Sequence, residues 1–156
     1  MQTLHFSIHI NAPREKVWNT MLELPTYQEW TKPFSPDPTL PSKYVGNWEE
    51  GSEIKFIGTD ENGKDVESGM YGRIKENRLH EFVSIEHLGI INNGVIDTTS
   101  DEVKKWIPAF ENYTFKEVDG GTELLVDTDT VEEYKQMFEE AWPKALEKLK
   151  ELAEKE

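Results

Sequence analysis

Leu4, Phe6, Ile8 and Ile10 alternate with His5, Ser7 and His9, and this period of two predicts a half-buried strand at the N-terminus. Asn11 then offers an N-cap, and Pro13 suits a first helical turn, where its missing N–H costs nothing. Val17, Met21 and Leu24 follow on one helical face, with Trp18 and Leu22 beside it, and Pro25 is expected to stop this helix. A second short helix is expected at 27–30. Residues 32–51 hold four prolines and no clear period, so they read as an ordered excursion carrying Phe34, Tyr44 and Trp48.

A run of strands comes next. Ile54 and Phe56 alternate with charged neighbours, and the DENGK segment at 60–64 is a strong hairpin turn. Val66, Ser68, Met70, Gly72 and Ile74 share one face of the following strand, and a polar turn at 76–78 leads to a strand at 79–88. The inward face of the sheet is expected to carry Phe56, Met70, Phe82 and Tyr113, although Val83 and Ile85 compete with Phe82 for that side. Residues 89–108 are less regular, with a short helix expected near 101–106. Tyr113 and Phe115 alternate again, and Asp119-Gly120-Gly121 turns into Leu124 and Val126. At the C-terminus Tyr134, Met137, Phe138, Ala141, Ala145, Leu149 and Leu152 recur at helical spacing. Pro143 falls inside that helix, where it removes a hydrogen bond at a cost of ~3 kcal/mol. A bend that follows a curved sheet and tilts Phe138 and Trp142 toward it is expected there. The element order is α+β, and residues 1–156 read as one domain with no repeat or linker.

Composition narrows the classes. There is no cysteine, which excludes disulfide scaffolds, thiolate metal sites and cysteine nucleophiles. No stretch approaches the roughly 20 apolar residues of a membrane span, and the first residues lack the pattern of a signal peptide, so a cytoplasmic location is expected. The formal charge of −14 repels phosphate backbones and anionic lipid surfaces, so neither nucleic acid nor membrane insertion is expected. The mixed charges of the last helix read as a solvated face.

Gly69 and Gly72, or Gly120 and Gly121, match no phosphate-binding loop and read as bulges and turns. No G-x-S-x-G elbow is present. His5 and His9 share a strand face, but positions four apart on a strand lie ~13 Å from one another, too far for one metal ion. His80 and His87 lie an odd number apart and are expected on opposite faces. Neither a metal nor a cofactor is expected.

The aromatic residues are the main functional signal. Trp30, Phe34, Phe56, Phe82, Trp106, Tyr113, Phe115, Phe138 and Trp142 could wall a pocket for a small apolar ligand, with Ser84, His87, Glu111 and Tyr113 to orient it. His87 and Glu111, with Asp127, are also candidates for an acid/base group, provided that neighbouring strands bring them together.

The opening INAPREKVWNTMLELPTYQEWT, the later EGSEIKF, FVSIEHLG, ENYTF and GGTEL, and the closing FEEAWPKALEKLKELAE together resemble the START-related, birch-allergen-like superfamily (SRPBCC). Within it they are similar to the branch named for the activator of the heat-shock-protein-90 ATPase. The likeness runs nearly the whole chain in order. It implies a helix-grip fold: a curved antiparallel sheet of about seven strands around a long C-terminal helix, two short helices after strand 1, and a hydrophobic tunnel between. The superfamily includes lipid carriers, hormone receptors, polyketide cyclases and co-chaperone domains, so the fold alone assigns no reaction.

The expectation drawn from all this is a binding module, rather than an enzyme, for a small hydrophobic or aromatic molecule of lipid or polyketide type. Its wall would be Trp30, Phe34, Trp48, Phe56, Met70, Phe82, Trp106, Tyr113, Phe138 and Trp142, with segments 34–48 and 89–106 rimming the entrance. The alternative is a cyclase or dehydratase that moves protons through His87, Glu111 or Tyr113. A co-chaperone-like interaction domain would instead expose Trp48 and Trp106 as anchors. The oligomeric state is left between monomer and weak homodimer.

Overall fold

The computed structural model describes residues 1–155 except 36 and 38; Pro36 and Pro38, counted in the proline-rich excursion, and Glu156 lie outside the described residues. Strand β1 (Gln2–Ile10) leads into helices α1 (Arg14–Leu22) and α2 (Leu24–Trp30) and a 3-10 turn at Lys32–Phe34. Strands β2 (Ser42–Gly46), β3 (Glu53–Thr59), β4 (Asp65–Arg78), β5 (Phe82–Asn92) and β6 (Val95–Asp97) follow. A single turn, α3 (Asp101–Lys104), precedes β7 (Ala109–Val118) and β8 (Gly121–Thr130), and α4 (Glu132–Glu154) closes the chain. The sheet is antiparallel in the order β1-β8-β7-β5-β4-β3-β2, with β6 hydrogen-bonded to β5 off that path. Helix α4 packs over β1 and against α1, α2 and the 3-10 turn. This is the α+β class that the order of elements predicts and the helix-grip arrangement that the resemblance implies.

The core lies between the sheet's inner face and the helices. Ile10, Ile54, Ile74, Val83, Leu124 and Val126 are fully buried there, with Val17 and Met21 from α1 and Ala145 and Leu149 from α4. Several local readings are corrected. Pro25 does not stop α1. That helix ends at Leu22, Glu23 is extended, and Pro25 occupies the first turn of α2, where a missing N–H is harmless. The N-cap position of α1 is Pro13 rather than Asn11. Part of the 32–51 excursion is β2, whose pattern is too short between Pro41 and Gly46 to show a period. On α4, Tyr134 and Met137 are exposed, while Leu146 and Ala153 join the buried stripe.

Phe82 is the consequential correction. The turn sits at residues 79–81, with His80 in the left-handed region at φ 63°, not at 76–78. Strand β4 also carries an extra residue, Lys75, between the pairs Ile74↔Ile85 and Glu76↔Ser84. A bulge resets alternation, so Val83 and Ile85 face the core, 0% and 1% exposed. Phe82 lies on the outer face beneath the Arg78 guanidinium, 4.9 Å from its ring centre. Ser84, on the same alternation as Phe82, also leaves the inner face. Phe56 and Met70 are directly paired across β3 and β4 and share the inner face with Tyr113.

Candidate functional site on the inner face of the sheet

Residues 109, 111, 113 and 115 of β7 point toward the helices, because Tyr113 and Phe115 belong to the core. Across the β5–β7 ladder Ile85 faces Glu111 and Val83 faces Tyr113. This alternation brings His87 inward as well, one step further along β5. The result is a polar cluster in an otherwise apolar wall. His87 Nε2 lies 3.1 Å from Glu111 Oε1, and the Tyr113 hydroxyl donates to Glu111 Oε2. The side chains of His87 and Glu111 are only 12% and 21% exposed. His87 Nδ1 is buried without a hydrogen-bond partner within the described residues. Asp127 takes no part: it sits on the outer face, 2.6 Å from His5 Nδ1. His80 lies in a turn against the edge of Trp18, away from His87.

Aromatic rings extend the cluster into a closed circuit. Tyr113 packs on Trp142 at 6.1 Å between ring centres, Trp142 on Trp30 at 5.9 Å, and Trp30 on Tyr27 at 5.5 Å. Tyr27 reaches Phe56 at 6.4 Å, and Phe56 returns to the His87 imidazole at 5.7 Å. Phe34 adds a further contact to Trp142 at 4.9 Å and to Phe138 at 6.3 Å. Phe34, Phe56 and Phe138 remain half-buried. Rings expected to line a void thus rest largely on one another.

The indoles and phenols are held by their polar ends. A helix leaves its last carbonyls unpaired, and α1 ends beneath this aromatic layer. Trp30 Nε1 donates to the Met21 carbonyl at 2.9 Å. The Leu22 carbonyl accepts from both the Tyr44 hydroxyl at 2.6 Å and Trp48 Nε1 at 3.1 Å. Trp48 is therefore an anchor between β2 and the end of α1, half-buried rather than free. Trp106 is half-buried just beyond α3 and stacks on none of the other described rings. Tyr27 and Tyr44 are the site residues that sequence inspection missed, and Tyr44 carries no pattern that separates it from ordinary core aromatics. The spacing of Tyr27 three before Trp30 was the available signal.

Burial is the main force on the two inner phenols. It raises the Tyr113 hydroxyl well above its ordinary pKa of 10.0, helped by the adjacent Glu111 charge and by the hydrogen bond to that carboxylate. Burial, then Glu111, then Tyr44 raise Tyr27. A group whose folded pKa is raised contributes stability that is complete below its unfolded pKa and is lost as pH rises through the folded one. Wild-type melting temperature is therefore expected to fall as pH rises above 10. Tyr27→Phe combined with Tyr113→Phe should flatten that fall, as measured by thermal melts across the alkaline range. An equally steep fall in the double variant would show that other groups control it.

Two shallow grooves lie outside the sheet–helix interface. The larger, about 520 Å³, runs between Pro33 and Pro143 with Glu29, Lys32, Lys144 and Lys148 along it. The other, about 410 Å³, follows the polar side of α1. No described helix is long and apolar enough to cross a membrane.

Comparison with solved structures places the fold in known company. A protein of Mycobacterium smegmatis is 18% identical with a TM-score of 0.69, over 96% of this chain and 89% of that one. A protein of Cytophaga hutchinsonii is 21% identical with a TM-score of 0.67, over 99% and 94%. The Aha1 dimer from Colwellia psychrerythraea is 17% identical with a TM-score of 0.65, over 99% and 97%. A search of curated proteins finds no match to the chain. The model of the family described as activator of Hsp90 ATPase homolog 1-like protein matches residues 11–154, nearly the whole length, and the chain belongs to that family.

Proposed function

We propose that the chain binds a small, largely apolar molecule against the inner face of the sheet, between β5, β7 and the helices. The observation that carries this reading is the Glu111 cluster: a carboxylate, an imidazole and a phenol joined by hydrogen bonds within an aromatic wall. Ligand pockets combine such walls with a few convergent polar groups. A packed core has no need of them, because burying a charge in it is costly. Uptake requires rings to move, and the half-buried Phe56 meets the His87 imidazole at an angle of 60°.

The test uses N-phenylnaphthylamine, a neutral fluorescent probe. Wild type is expected to enhance its emission, and Phe56→Ala to bind it more tightly by opening the way to His87. Probe binding that is indifferent to Phe56 would place the probe elsewhere and defeat the reading.

The same geometry supports a second reading, that of a cyclase or dehydratase. Such an enzyme needs two proton-transfer groups inward and within hydrogen-bond reach, and His87, Glu111 and Tyr113 meet that condition. Turnover of a bound compound, lost in Glu111→Gln while binding persists, would favour it. An interaction domain needs exposed anchors, whereas Trp48 and Trp106 are both half-buried.

A further inference from the structure

Resting on that binding reading, we infer that the molecule taken up is neutral and donates a hydrogen bond: a phenol or enol rather than a fatty acid or other carboxylate. The donor and acceptor inventory of the cluster leads there. A carboxylate only accepts, so His87 Nε2 donates to Glu111, and in the neutral ring Nδ1 is left as an acceptor. That atom is buried and has no partner within the described residues, a condition that is ordinarily costly and that a ligand hydroxyl would relieve. The Tyr113 hydroxyl already donates to Glu111, so it too has only lone pairs to offer.

Charge selects in the same direction. Lys43, Lys55 and Arg73 alternate away from Tyr44, Phe56 and Gly72 on the neighbouring strands. A ligand carboxylate would sit beside Glu111 with none of these lysine or arginine charges to balance it, and two like charges in one partly buried site disfavour each other. The planar ring of Phe56, half-buried against the imidazole, marks the place that a planar ligand would take.

Three probes of one size separate the possibilities: naphthol, methoxynaphthalene and naphthoate, titrated into the intact chain by calorimetry. Naphthol is expected to bind about tenfold more tightly than the methyl ether, the value of one well-formed hydrogen bond, and naphthoate more weakly than either. His87→Phe should bring the naphthol-to-ether ratio to about one, and Glu111→Gln should relieve the penalty on naphthoate. Equal wild-type affinity for naphthol and ether, or naphthoate as the tightest ligand, would overturn the inference and leave apolar binding standing. Failure of all three probes to bind would overturn both. The wild-type comparison decides the matter even if a variant does not fold.

Discussion

Trp142→Ala is expected to lower the free energy of unfolding by about 3–5 kcal/mol, the usual range for deleting a large buried aromatic. The residue is 3% exposed and touches Phe6, Trp30, Phe34 and Tyr113. It joins β1, β7, α2 and the 3-10 turn to α4, so no single neighbour can relax into its volume. For a chain of this size the melting temperature should drop by roughly 6–20 °C. Tyr134→Ala, at a position 52% exposed on the same helix, should cost less than about 1 kcal/mol. Similar losses in both variants would mean that the helix is held by its length rather than by the Trp142 contact.

Gly69→Ala carries the second large effect. Gly69 pairs with Ile57 at the last regular step of the β3–β4 ladder before its bulge, at φ +159°, and a Cβ there would stand 1.9 Å from the Phe56 carbonyl oxygen. Backbone has to move, and β3 has to shift against β4. A loss of roughly 3 kcal/mol or more is expected, together with altered probe binding, because the displaced residue is Phe56. Gly58→Ala, with nothing within 4 Å of the new methyl, serves as the comparison and should change stability by less than about 1 kcal/mol. Parity between the two would remove close strand approach as the reason for glycine at 69.

What was legible in the sequence was whatever a long regular period carries. Strand β1 and the second half of α4 could be read directly, and so could the hairpin at 60–64. Phe82 could not be placed, because one inserted residue at Lys75 reverses alternation and leaves no compositional mark. Strand β2 was hidden for a different reason: four residues between a proline and a glycine look like loop. The site was half legible. His87 and Glu111 stood out as residue types, but their meeting depends on the β5–β7 register, which only long-range pairing fixes. Asp127 looked equally suitable and fell on the other face. Trp48 read as a free rim residue because nothing in a single sequence shows that its indole answers an unpaired carbonyl at the end of α1.

The central claim, that a small apolar molecule is held at the Glu111 cluster, is tested most directly by mapping amide and indole chemical shifts while N-phenylnaphthylamine is added. The shifts are expected to concentrate on Ile85–His87 of β5, Ala109–Tyr113 of β7 and the Trp30 and Trp142 indoles. Shifts confined to the outer groove between Pro33 and Pro143, with β5 and β7 unmoved, would contradict it.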